Sequence, residues 1–298
     1  MSQKRDVKLI TALLSVAVFW GTTYLAIRIA VQSIPPWYVT GFRQLVASII
    51  MLCWLLYKKQ LRWIGWKNLG IQVVFSTLML IVANGMTTVA EQSLPSGLTS
   101  LLSALTPIFV FLGSVLIGIQ RASLKGFVGV VIGFSGVAFI FRGGLDDLLH
   151  PEYLSGIFYL LIAIIGWTVG TIYTKKLGRK SQSISLDLFY QFSFASLAQL
   201  GIALLLHPAN NFSNWSANSI AAVVYLGVFG SIVGYFSYHY ALKRVTATEV
   251  SILSYFNTVI AIFLGWLVLN EAVSYDLLVA TFLIILGVFI TNHKKENN

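Results

Sequence analysis

Apolar residues in this chain come in long unbroken runs separated by short polar breaks. Ten runs occupy 9–30, 37–57, 69–90, 96–118, 124–142, 153–174, 185–206, 219–241, 247–269 and 275–292. A hydrocarbon core of about 30 Å takes roughly 20 mainly apolar residues in helical form. The pattern therefore predicts ten transmembrane helices, an all-α polytopic membrane protein. Strands of a membrane barrel would alternate apolar and polar positions, and these runs do not. The break at 58–68 mixes Lys and Arg with Trp63 and Trp66 and is expected at the inner membrane interface; the polar stretch 207–219 reads as an outer loop.

The breaks also repeat. Ala90–Val137 aligns without a gap on Ala241–Val288, placing Ser100 on Ser251, Leu102 on Leu253, Ser103 on Ser254, Ser123 on Ser274 and Gly136 on Gly287. A duplication of five spans follows. An odd number of spans per copy turns the second copy over in the membrane, an inverted repeat. The expected layout is a cytoplasmic tail (1–8), a first repeat (9–142), an outer connecting loop (143–152), a second repeat (153–292) and a cytoplasmic tail (293–298).

Composition strengthens the membrane reading. The chain is 57% hydrophobic and 10% charged, where a soluble domain carries roughly 25% charged residues. Its net charge of +10 would suggest nucleic acid in a soluble protein. Here the basic residues cluster between apolar runs, which argues against a nucleic-acid partner and sets the orientation. Lys58, Lys59, Arg62 and Lys67, then Lys175, Lys176, Arg179 and Lys180, fall on the side of both termini, whereas Glu91, Asp146, Asp147, Glu152, Glu271 and Asp276 fall opposite. Both termini are thus expected in the cytoplasm. Lys4, Arg5 and Lys8 precede a run too long for a signal-peptide core, so the first span is expected to be retained. The one cysteine, Cys53, permits no internal disulfide and is expected as a small buried hydrophobe.

Inverted repeats set a substrate site near the bilayer midplane, and polar or aromatic positions within spans are its candidates. Trp20, Thr23 and Tyr24 lie in span one, with Trp167 the repeat partner of Trp20 in span six, and Arg28 pairs with Lys175. Arg43 in span two is an intramembrane cation, whose default reading is functional; Tyr190 is its repeat partner. Asn84 and Tyr235 correspond in spans three and eight. Ser103, followed by the helix-loosening Pro107, and Tyr238, Tyr255 and Asn257 complete the set. Each has a plainer use: Ser and Thr join helices, aromatics pack, and Arg43 can snorkel. Glu249 and His239 are candidates for proton coupling, although Glu249 at a helix start also suits the helix dipole. The glycines of spans five and eight are expected to pack helices closely.

The Trp20–Gly21 pair, Arg43, TTVAEQSLPSGLTSLLSALTPIF (87–109) and its partner YHYALKRVTATEVSILSYFNTVIAIFLGWLVLNE (238–271) resemble the EamA-like branch of the drug/metabolite transporter superfamily. Glu271 matches that family's acidic residue after span nine. Gln120 departs from the acidic position of the first half, and Thr258 stands where the second half often has proline. The resemblance implies a secondary transporter, usually an exporter of small metabolites or drugs in the bacterial inner membrane, working by alternating access. A small-molecule substrate and membrane lipid are the implied partners, and a homodimer is left open. No His-Glu-x-x-His, Gly-x-Ser-x-Gly or Walker A sequence occurs, and the four histidines lack metal-ligand spacing. No cofactor, metal or catalytic residue is therefore expected. An integral-membrane enzyme or a non-transporting scaffold are the alternatives.

Overall fold

A computed structural model describes residues 7–118, 124–140, 151–177, 183–245, 247–251 and 253–292. The expected connecting loop up to residue 150, Gln120, Arg142 and the tail 293–298 lie outside the described residues. Helices follow the apolar runs: α1 (Val7–Ala30), α2 (Pro36–Tyr57), α3 (Trp66–Ala90), α4 (Ser96–Leu116), α5 (Leu124–Ile140), α6 (Pro151–Leu177), α7 (Ile184–Leu206), α8 (Ala217–Leu242), α9 (Ala247–Ser251 and Leu253–Leu269) and α10 (Tyr275–Asn292). Seven of these are long and apolar enough to cross a membrane by length and composition, and α5, α9 and α10 contribute shorter apolar helices. Among the described residues there is no strand.

Large apolar side chains such as Leu14, Phe158, Leu197 and Phe282 are exposed on the outer faces of the bundle. A soluble protein does not present such a surface; lipid accepts it. Cys53 lies on one of these faces, exposed rather than buried. Hydropathy cannot separate a lipid-facing position from a core one, which is why the sequence reading placed it inside.

Helix contacts recur when five is added to each helix number. α2 packs on α7 and α5 on α10; α1 packs on α8 and α9, as α6 does on α3 and α4. Glycine permits the α5–α10 approach: a Cβ at Gly287 would stand 2.3 Å from the Gly133 nitrogen. Short turns leave α1, α3 and α9 at one end of the bundle, here called distal; the start of α1, the end of α10 and the 58–65 connection lie at the other, proximal end.

Three helices are irregular where they face the centre. α3 widens into a π-helical stretch at Ser76–Asn84 and α8 does so at Leu226–Val233. Wide turns misalign backbone carbonyls, and side chains from other helices take them up. Tyr235 Oη donates to Met79 O at 3.3 Å, Gln199 Nε2 to Leu80 O at 2.8 Å, and Trp20 Nε1 to Gly230 O at 3.0 Å. α4 is interrupted between Ser103 and Thr106. Pro107 has no N–H for the Ser103 carbonyl, and Thr106 Oγ1 donates to it instead at 2.6 Å. From α9, Thr258 Oγ1 donates to Ser100 O at 3.0 Å, so the residue standing in the proline position of the second half supports the bend of the first.

Candidate functional site

A cavity of about 130 Å³ lies between α1, α2, α3, α4, α6, α8 and α9. Its aromatic wall comes from three helices. Trp20 and Trp167 meet edge to face with centroids 5.1 Å apart, and both contact Tyr235 and Tyr238 at 5.2–6.0 Å. Such offset and edge-on arrangements are those the ring quadrupoles favour. The polar tips are held by neighbouring helices: Trp20 and Tyr235 on π-segment carbonyls, Tyr238 on Thr171 at 2.7 Å. The rings therefore present faces and edges to the interior. Trp20 reaches its place because residue 234 is glycine; a Cβ there would lie 2.2 Å from the indole nitrogen.

Beside this wall stands Arg43, 2% exposed. Its Nε donates to Ser231 Oγ at 2.9 Å and its Nη1 to Asn84 Oδ1 at 3.3 Å. Nη2 lies against Gly230, where a Cβ would come within 2.9 Å. Both hydrogen-bond partners are neutral, and among the described residues no Asp or Glu side chain pairs with this guanidinium. Tyr24 and Ser103 face each other on the cavity's edge, with Thr87, Thr106, Ser254 and Asn257 further round. The Asn257 amide, turned with its NH2 toward α1, donates to Ala17 O at 2.8 Å and Leu253 O at 3.0 Å.

The cavity gathers Trp20, Thr23, Tyr24, Arg43, Asn84, Ser103, Trp167, Tyr235, Tyr238 and Asn257. Two expected members lie elsewhere. Tyr190 Oη donates to Arg62 O at 3.0 Å and its ring meets Trp63 at the proximal rim. Tyr255 is buried in the apolar cluster of Leu101, Ile108 and Ile284, between α4 and α10. Ser254 faces the cavity, and one residue further along the helix is about 100° round it. The same step separates Tyr238, on the wall, from His239, which is buried behind it with Nε2 unbonded among the described residues. Glu249 lies in the first turn of α9, and its side chain is outside the described residues. No three His, Cys, Asp or Glu side chains converge as metal ligands among the described residues.

The same device ties helix ends together on the two sides of the cavity. Distally, Arg28 Nη1 at the end of α1 donates to the carbonyls of Glu91 and Gln92, where α3 ends. Proximally, Lys175 Nζ near the end of α6 donates to the carbonyls of Leu242 and Val245, where α8 ends. The distal end has a further contact. The Glu271 carboxylate accepts from the backbone N–H of Ser96 (2.9 Å) and of Gly97 (3.1 Å) and from Ser96 Oγ (2.9 Å). A carboxylate thus caps the positive N-terminus of α4 from the turn after α9. Gly265 makes room for it, since a Cβ there would lie 2.4 Å from Oε2.

Glu91, which charge counting assigns to the distal loops, is fully buried. Neither carboxyl oxygen has a hydrogen-bond partner among the described residues. Burial drives this carboxyl well above the usual range; the Arg28 charge opposes that shift, Glu271 adds to it and Arg43 opposes it.

Comparison with known proteins accords with this architecture. The profile of the EamA-like transporter family matches residues 7–142 and 154–293. The chain is 32% identical to the "uncharacterized inner membrane transporter YedA" of Escherichia coli K12, over 85% of this chain and 80% of that one. It is 24% identical to the "uncharacterized transporter YoaV" of Bacillus subtilis, over 95% and 96% of the two chains, and 27% identical to "protein PagO" of Salmonella typhimurium, over 96% and 93%. A crystal structure 20% identical in sequence, covering 96% of each chain, superposes with a TM-score of 0.68 and shows the same fold. With both halves matched by one profile, the chain belongs to the EamA-like transporter family.

Proposed function

We propose that this protein is a secondary active exporter of small metabolites, amino acids or related compounds, in the bacterial inner membrane, with both termini cytoplasmic and the distal end outward. The observation that carries the reading is Arg43. A buried guanidinium with only neutral hydrogen-bond partners lines a cavity that four aromatic rings also wall. An intramembrane cation without a counter-ion is costly, and an anionic substrate group supplies one. The preferred cargo is a carboxylate carrying an apolar or aromatic part that fits against Trp20 and Trp167. Alternating access would follow from rocking one five-helix repeat against the other, the cavity lying between them.

The test is counterflow of labelled amino acids, nucleosides, sugars and cationic dyes in proteoliposomes. Saturable exchange of carboxylate compounds is expected. Arg43→Gln removes a charge-assisted contact worth about 1.5–3 kcal/mol, so carboxylate exchange should fall by about tenfold or more, with neutral compounds spared. Equal loss for both classes would reject the role of Arg43, and no exchange of any class would count against the transport reading itself.

A further inference from the structure

We propose that Glu91 is a proton-binding site of this transporter and that its ionisation unlatches the distal end of the cavity. Its role in coupling rests on the transport reading above; its role as a proton site does not. Glu91 follows Thr87 by one turn on the same face of α3, and Thr87 lines the cavity. The carboxyl therefore sits between the cavity and the distal end, one turn beyond Thr87 and electrostatically coupled to the Tyr24 hydroxyl.

The surroundings specify what a proton does there. α1 supplies Arg28 and Tyr24, α2 supplies Arg43, and the α9–α10 turn supplies Glu271. On the α6 side Tyr153 and Tyr159 pack in the apolar cluster around Ala90 and Leu94. Arg28 is nearest in charge, yet its Nη1 is held by the Glu91 and Gln92 carbonyls and makes no hydrogen bond to the Glu91 side chain. With neither oxygen hydrogen-bonded, the neutral carboxyl is the form this arrangement accommodates. Loss of the proton creates an anion that attracts the Arg28 guanidinium away from those carbonyls and repels Glu271. Both effects act on one short turn, residues 91–95, which Arg28 fastens at its start and the Glu271 cap fastens at its end. The proton leaves by way of the cavity while the distal end is latched, and is taken up again from water on the distal side once that end has opened.

Two measurements on the full-length protein in lipid nanodiscs test this without a substrate. Infrared difference spectra between about pH 5 and 9 should contain a protonated-carboxyl stretch that is lost on raising the pH. That stretch should vanish in Glu91→Gln and persist in Glu271→Gln. Its absence from the unmodified protein, or its persistence in Glu91→Gln, would overturn the proposal. The second measurement is labelling by a membrane-impermeant thiol reagent at Ser93→Cys in a Cys53→Ser background. Accessibility should rise by about tenfold per pH unit below the titration midpoint, beyond the thiol's own pH response. Glu91→Gln should remove this excess and Glu91→Asp restore it; an unchanged excess in Glu91→Gln would refute the unlatching. If both signatures hold while no compound exchanges, the transport reading fails and the proton site stands. If exchange is found and both signatures are missing, the proton site alone fails.

Discussion

The two ends of the cavity share a backbone device and differ in everything attached to it. Arg28 and Lys175 each reach from the end of one helix to the last carbonyls of another, α3 and α8 respectively. In the gap-free alignment of the halves, however, Glu91 corresponds to Leu242, Ser96 to Ala247 and Glu271 to Gln120. The distal end thus carries two carboxyls and a hydroxyl where the proximal sequence has a leucine, an alanine and an amide. Duplicated geometry does not impose duplicated energetics. A carrier whose ends are alike in shape and unlike in charge can respond to pH at one end alone.

The comparison is most severely tested at Glu271. Glu271→Ala leaves the Ser96 and Gly97 N–H groups without their acceptor and should cost about 2–4 kcal/mol, seen as a lowered thermal-unfolding midpoint in nanodiscs. A loss below about 0.5 kcal/mol would mean that the cap contributes little.

Glu91→Gln sharpens the contrast through pH. A carboxyl whose folded-state pKa is raised binds its proton more tightly in the folded protein. Its contribution is full below the ordinary glutamate value of about 4.3 and is lost as pH rises through the raised value. The unmodified protein should therefore lose stability toward alkaline pH, with a slope approaching about 1.4 kcal/mol per pH unit, and Glu91→Gln should flatten that slope. Smaller effects are expected from the shared device. Arg28→Met should cost about 1–2 kcal/mol and Lys175→Met about 1 kcal/mol, the distal change being larger because it also removes the cation nearest Glu91. Equal costs would erase the asymmetry between the two ends. The smallest effect belongs to Tyr190→Phe, which removes one hydrogen bond at the proximal rim and should leave counterflow unchanged, with a stability loss of at most about 0.5–1 kcal/mol.

What the sequence reveals depends on how local its cause is. Ten apolar runs specify the helices, because spanning a bilayer is a requirement each segment meets by itself. The bend at Pro107 and the pairing of Trp20 with Trp167 are also legible, one from a missing N–H and the other from the repeat. Glu91 is not. A single acid just past an apolar run has the signature of a loop, and its burial is imposed by α1 and by turns distant in sequence. Tyr190 illustrates the opposite error. Repeat correspondence with Arg43 placed it in the site, but the Arg62–Trp63 segment meets its ring before it can reach the centre. Tyr255 was misassigned by one helical step, a distinction a stripe of polar residues leaves ambiguous. The π-helical stretches left no trace in hydropathy at all.

Those stretches bear on what kinds of mutation the protein tolerates. A π turn within an α-helix is in effect one inserted residue absorbed in place, so the residues beyond it keep the orientation they would have in an α-helix one residue shorter. For α3 the part beyond Ser76–Asn84 includes Thr87 and Glu91; for α8, beyond Leu226–Val233, it includes Tyr235 and Tyr238. A single-codon deletion in either stretch is therefore absorbed by closing the wide turn to an α turn, with the site's residues left facing the cavity, whereas the same deletion in a regular turn would rotate the residues beyond it by about 100°. These two places are thus where the helices accept a change of chain length, separately from the identity of any side chain.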